Sequence, residues 1–144
     1  MREKRVSCVL LADRHHGLTE GVRGLLETAF GTVVMVADEA SLLEGAGRLR
    51  PDVAVVDLSL ARDSGLGWLQ ALRQRCPGLK VIVLSVHDEQ AVRRAAMEAG
   101  ADAFVLKRAI ATDLLPAVDL VRGGRDVGAS MSERLKEGKS GIED

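Results

Sequence analysis

Apolar positions along the chain fall into two alternating patterns. Five short, nearly unbroken runs at residues 6–12, 33–36, 53–56, 81–84 and 103–106 are separated by stretches in which apolar residues recur at helical spacing. Continuous apolar runs of this length are expected of strands buried on both faces, and their alternation with amphipathic helices predicts a parallel sheet covered on both sides. The first helix carries Leu18, Val22, Leu25, Leu26 and Ala29, has Thr19 and Glu20 in its first turn, and closes at Gly31. Asp38 is the expected N-cap of a second helix bearing Ala40, Leu43 and Ala46, ended by Pro51. A loop through Gly65 leads to a third with Leu66, Leu69 and Leu72, which stops before Cys76-Pro77-Gly78. The fourth places Val92, Ala95, Ala96 and Ala99 on one face and ends at Gly100, a position suited to positive φ. The fifth is expected to start at a cap on Asp113, leaving Pro116 in the first turn and burying Leu114, Leu115, Val118 and Val121.

Gly123-Gly124 closes this pattern, so residues 1–124 are read as one domain and 125–144 as a linker or tail. In that tail Ser130 and Glu133 have capping-box spacing, which predicts a short helix over 131–136. The 144 residues are 47% hydrophobic and 28% charged, enough for a core without disulfides. Twenty basic residues against twenty-one acidic ones leave a net charge of −1, which offers nucleic acid no global attraction. Trp68, Phe30 and Phe104 are the only aromatic side chains, too few for a base-stacking surface, and direct nucleic-acid binding by this chain is not expected. No apolar run has the roughly 20 residues a bilayer requires and no signal-peptide core follows Met1, so no membrane partner and a cytoplasmic setting are expected. Cys8 in a strand and Cys76 in a turn read as a core thiol and a surface thiol, not a disulfide. Trp68 reads as a partly exposed helix residue, and His15, His16 and His87 lack the partners that would complete a tetrahedral metal site.

The candidate chemistry stands at the ends of the strands. Asp13, Asp57, Ser85 and Lys107 each follow an apolar run directly, on the first, third, fourth and fifth strands. In a parallel sheet these carboxyl ends share one edge, where ligands of doubly wound folds bind. Each residue alone has an ordinary structural role as a loop cap, turn hydroxyl or solvated cation. Together they supply a nucleophilic carboxylate, a second carboxylate able to hold a divalent cation, a hydroxyl donor and an ammonium, which is a set suited to accepting a phosphoryl group.

These residues and their surroundings resemble a known family. Residues 9–13 followed by His15, the Asp57-Leu58 turn reaching Gly65, the run 81–85, and Ala99-Gly100-Ala101-Asp102 leading through Phe104-Val105-Leu106 to Lys107 look like the receiver domain of response regulators. The likeness covers residues 6–124 and is similar in particular to the NarL/FixJ (LuxR-type) class. It implies a flavodoxin-like three-layer fold with strand order 2-1-3-4-5. It also implies transfer of a phosphoryl group from a sensor histidine kinase to Asp57, assisted by Mg²⁺ held by Asp13, Asp57 and the Ser59 backbone carbonyl. Lys107 and Ser85 would contact the phosphoryl group, and Phe104 would be the aromatic whose rotamer follows Ser85. The output face would be the fourth helix, fifth strand and fifth helix, through which a homodimer is also expected.

Three departures alter that expectation. The family's pair of adjacent acids after the first strand is here Asp13-Arg14, and exchanging a negative for a positive side chain at the metal site predicts weakened Mg²⁺ binding. Ala61 stands where the loop usually has proline, which loosens the turn after Asp57. Regulators of this class continue into a helix-turn-helix domain, whereas residues 124–135 resemble the start of a linker with no recognition-helix motif after it, so the chain reads either as a stand-alone receiver or as part of a longer transcriptional regulator. Two other readings stay open: a degenerate receiver that works as an interaction module without phosphate, and a flavodoxin-like cofactor-binding domain. Asp13-Arg14-His15-His16 occupies the place where the latter would need a glycine-rich phosphate loop.

Overall fold

The computed structural model describes residues 7–14, 16–61 and 65–123. Strands β1 (Cys8–Ala12), β2 (Thr32–Val36), β3 (Val53–Asp57), β4 (Lys80–Ser85) and β5 (Ala103–Leu106) form one parallel sheet in the order β2-β1-β3-β4-β5. Helices α1 (His16–Leu26), α2 (Glu39–Leu49), α3 (Gly67–Arg75), α4 (Gln90–Glu98) and α5 (Ile110–Val121) complete the five predicted βα units.

Period-two alternation divides the strand residues between two cores. Leu10, Ala12, Ala54, Val56, Val81 and Val83 pack toward α2, α3 and α4, whereas Val9, Leu11, Val53, Val55, Ile82 and Leu84 pack toward α1 and α5. Strands β3 and β4 lie inside the sheet, and Val53, Ala54, Val55, Val56, Val81, Ile82, Val83 and Leu84 are all without solvent contact. Edge strand β2 is only half-buried, in keeping with its place.

Two predicted caps are present. Asp38 accepts the Ser41 amide at 2.7 Å, which also holds its carboxyl below the usual carboxylate range. Gly100 has φ +120, and a Cβ there would meet Arg73 Nε at 3.4 Å, so glycine serves both backbone and packing. That close approach belongs to a tie at the amino edge of the sheet. The Arg73 guanidinium donates to the carbonyls of Gly100 and Leu79 and to the Asp102 carboxylate, which in turn accepts the Val81 amide at 2.8 Å. At the same edge Arg122 lies over the Phe30 ring, 4.4 Å from its centroid, and donates to the Ala29 carbonyl, fixing the end of α5 against the α1–β2 turn.

Several expectations need correction. Trp68 is not partly exposed: it is 1% exposed, since α3 begins at Gly67 and turns Trp68, Leu69 and Leu72 inward together. Its indole N–H has no hydrogen-bond partner among the described residues. Helix α5 starts at Ile110, after a 3₁₀ turn over Lys107–Ala109, so Pro116 lies inside the helix and Asp113 in its first turn rather than at the cap. Burial of Ile110 together with Leu114 favours the earlier start. The carbonyl that Pro116 leaves without an amide is that of exposed Thr112, within reach of water, which lowers the cost of the break without removing it. Leu115 is half-buried instead of core, and on α4 only Ala96 is buried. Helix α1 ends at Leu26, before Gly31, and Leu66 precedes α3 instead of belonging to it. Cys8 and Cys76 are both free and half-buried, so neither is a fully core nor a surface thiol. His15, the residues around 62–64 and the tail, with its expected 131–136 helix, lie outside the described residues.

Candidate functional site

Strand register brings the four predicted side chains together. Ala12 pairs with Val56, so Asp13 and Asp57 leave adjacent strands at the same level. Asp57 pairs with Leu84, which precedes Ser85, and Ser85 pairs with Leu106, which precedes Lys107. Asp13, Asp57 and Ser85 are 2%, 2% and 1% exposed, and they are the only buried polar or charged residues among those described.

Lys107 organises the group. Its Nζ stands 3.1 Å from Asp57 Oδ2 and 3.6 Å from Asp13 Oδ2, a single ammonium bridging two carboxylates. The Lys107 side chain is 11% exposed, so the three charges interact with little screening. Burial pushes the Asp57 carboxyl up, but the Ser59 hydroxyl bond, then Lys107, and finally the Ser59 amide outweigh it and hold the group below the usual carboxylate value. The Ser59 hydroxyl donates to Asp57 Oδ2 at 2.8 Å and the Ser59 amide to Oδ1 at 3.3 Å.

Ser85 is near Asp57 along the sheet edge but is otherwise engaged. Its Oγ accepts the His87 amide at 2.8 Å and donates to the His87 carbonyl at 3.1 Å, a local turn that holds the hydroxyl in the β4–α4 loop. Arg108, next to Lys107, reaches across to Asp88 in that same loop at 2.9 Å. Phe104 is 8% exposed, in the core facing α4, with the Arg93 guanidinium 4.9 Å above its ring. Arg14 follows Asp13 and is half-buried.

The sequence reading assigned Ser59 only a backbone role, and its hydroxyl bond to Asp57 was missed. A hydroxyl two residues after an aspartate is the signal that would have found it. The Ser85–His87 turn carries the same kind of local signal, whereas Arg108–Asp88 joins residues twenty apart and leaves none. Among the described residues no three His, Cys, Asp or Glu side chains converge in a metal-ligating cluster. Asp13 and Asp57 therefore offer two carboxylates and no third.

The comparisons with known proteins agree with this geometry. The family model for the response regulator receiver domain matches residues 9–119. The chain is 36% identical over 131 residues to the nitrate/nitrite response regulator protein NarP of Escherichia coli, covering 90% of this chain and 60% of that protein. It is 31% identical over 138 residues to the transcriptional regulatory protein DegU of Brevibacillus brevis, covering 94% and 58%. The chain thus spans about 60% of the length of these regulators. Among solved structures, the signal receiver domain of NarL from Mycobacterium tuberculosis superposes with a TM-score of 0.72 at 31% identity, covering 83% of this chain and 98% of that one. The strand order, the strand-end cluster and these matches lead to one conclusion: the chain belongs to the response regulator receiver domains, in the NarL-type (LuxR) class of two-component signalling proteins.

Proposed function

We propose that this chain accepts a phosphoryl group on Asp57 from a phosphohistidine of a sensor histidine kinase and converts it into a rearrangement of α4, β5 and α5. The observation that carries the reading is the Lys107 ammonium held between two buried carboxylates, 3.1 Å from one and 3.6 Å from the other. Asp57 Oδ attacks phosphorus, an O–P bond forms, the P–N bond of the donor breaks, and the imidazole nitrogen leaves with the electron pair. Because Asp57 is held below the ordinary carboxylate value, it is ionised and nucleophilic throughout the neutral range. Lys107 moves from balancing two carboxylates to binding a phosphoryl oxygen. Ser85 reaches the phosphoryl group only by breaking its two bonds to His87, at a cost of about 0.5–1.5 kcal/mol each, which the new charge-assisted bond offsets. Phe104 follows Ser85, and leaving its position means leaving the Arg93 guanidinium.

The donor set suits Mg²⁺: Asp13, Asp57 and the Ser59 backbone carbonyl supply hard oxygens at one strand edge. A bound Mg²⁺ supplies charge neutralisation for the incoming phosphoryl oxygens. Arg14, beside Asp13, opposes that cation, so affinity is reduced relative to a site with an acid at this position. Pairing of two copies through α4, β5 and α5, and connection to a DNA-binding domain of the kind found in LuxR-type regulators, belong to the same proposal.

Incubation with a small phosphodonor and Mg²⁺ followed by intact-mass measurement tests it. One added phosphoryl group, absent from Asp57→Asn, is expected. No mass gain under any donor or metal condition overturns the reading in favour of an interaction module that works without phosphate.

A further inference from the structure

One ion pair beside the strand-end cluster has no part in the chemistry proposed for it. Arg108 donates to the Asp88 carboxylate at 2.9 Å, and this bond holds the Asp88 carboxyl below the usual carboxylate range, so the pair is charged throughout the neutral range. It ties the 3₁₀ turn over Lys107–Ala109 to the loop between β4 and α4. Each end is the chain neighbour of a group that has to move. Arg108 follows Lys107, whose Nζ bridges Asp57 and Asp13. Asp88 follows His87, whose amide and carbonyl hold the Ser85 hydroxyl at 2.8 and 3.1 Å. Both side chains are more than half exposed, so the pair adds little to the stability of the fold. Its placement gives it a different effect, because it joins the two segments that change when Ser85 turns from His87 to a phosphoryl oxygen.

We propose that the Arg108–Asp88 pair is a latch on the resting arrangement, which lowers the population of the phosphoryl-binding arrangement and so sets how strongly the domain responds to modification. The inference rests on Asp57 being the phosphoacceptor. When the Ser85 hydroxyl leaves, the His87 amide and carbonyl lose the partner that fixes the loop and must find others. The loop then shifts only as far as the hold of Arg108 on Asp88 allows. Removing either charge deletes a contact of the resting arrangement, and the equilibrium moves toward the arrangement that binds a phosphoryl group. While that arrangement is the minor one, apparent affinity for a phosphoryl mimic rises by the same factor as its population. An exposed pair of this kind shifts such an equilibrium by up to about fivefold.

The test titrates the full chain with beryllofluoride, a phosphoryl mimic that bonds to a carboxylate oxygen, at saturating Mg²⁺. Binding is followed by backbone amide resonances, including that of His87, which loses its Ser85 partner. Arg108→Gln and Asp88→Asn are each expected to lower the Kd about three- to fivefold. A simple field effect gives another pattern: loss of a cation weakens binding of an anion and loss of an anion strengthens it, so the two variants would shift in opposite directions. The double variant Arg108→Gln/Asp88→Asn is expected to match either single one instead of multiplying their effects. Exchange of the charges, Arg108→Asp with Asp88→Arg, should return the Kd to within about 1.5-fold of the wild type. Opposite shifts in the two single variants, a product of both effects in the double one, or no change in either overturns the latch while leaving Asp57 as phosphoacceptor. No binding of beryllofluoride by the wild type or any variant overturns both.

Discussion

Lys107→Met removes the ammonium that bridges Asp13 and Asp57 while keeping most of the side chain's apolar stem. At an effective dielectric near 20, one charge pair at 3.1 Å is worth about 5 kcal/mol and one at 3.6 Å slightly less, before desolvation and the repulsion between the two carboxylates are subtracted. Breaking a buried pair by removing one partner typically costs about 3–5 kcal/mol. Protonation caps that cost, because the variant can neutralise one carboxylate. From an ordinary value near 3.9 to pH 7 this takes about three pH units at about 1.4 kcal/mol each, or about 4 kcal/mol. The expected loss is therefore about 3–4 kcal/mol at pH 7, shrinking to about 1.5 kcal/mol at pH 5. The sign follows from the two proteins' opposite titrations. In the wild type Asp57 is held below its unfolded value, so its contribution is present above that value and is lost as pH falls through the folded one. In the variant the burial of Asp57 is no longer offset by Lys107, so its carboxyl is raised, folding takes up a proton and relative stability improves with acid. Urea unfolding followed by emission of Trp68, the chain's one tryptophan and a buried one, measures both values. A loss under 1 kcal/mol at pH 7 with no change at pH 5 would refute the charge argument.

Three further outcomes are expected. Asp102→Ala strands the Val81 amide and one face of the Arg73 guanidinium, and should cost about 2–3 kcal/mol by urea unfolding, while Asp102→Asn, which keeps an acceptor for Val81, recovers part of that. Pro116→Ala restores the donor to the exposed Thr112 carbonyl inside α5 and should raise stability by about 1–2 kcal/mol, read as a higher Tm. Arg14→Asp should tighten Mg²⁺ binding at least tenfold by calorimetric titration, and an unchanged Kd would show that Arg14 does not act on the metal site.

Strands were legible because each is a nearly unbroken apolar run, and the convergence of Asp13, Asp57, Ser85 and Lys107 was legible because each stands at the first polar position after such a run. Asp57 needed only the strand pattern to be placed beside Asp13. What escaped the sequence was decided by contacts with distant partners or by competing local preferences. Trp68 looks amphipathic in isolation, and its burial follows only from where α3 begins relative to the sheet. Pro116 argues locally for a helix start, yet burial of Ile110 one turn earlier overrides it. Arg73 and Asp102 are 29 positions apart and carry no periodic signature, so their tie emerges only when α3 and β5 are placed side by side. A cavity beside Asp57 is lined by residues from five separate stretches of chain, which no motif records.

Helix α5 begins within one short turn of Lys107 and runs 12 residues to the opposite edge, where Arg122 grips the Phe30 ring. It is thus a rod of about 18 Å with the strand-end cluster at one end and the Arg122–Phe30 contact at the other. With Arg122 holding the far end to the α1–β2 turn, each degree of tilt moves the Lys107 end by about 0.3 Å, so a rearrangement among the strand-end carboxylates swings the start of α5 about a pivot at Phe30.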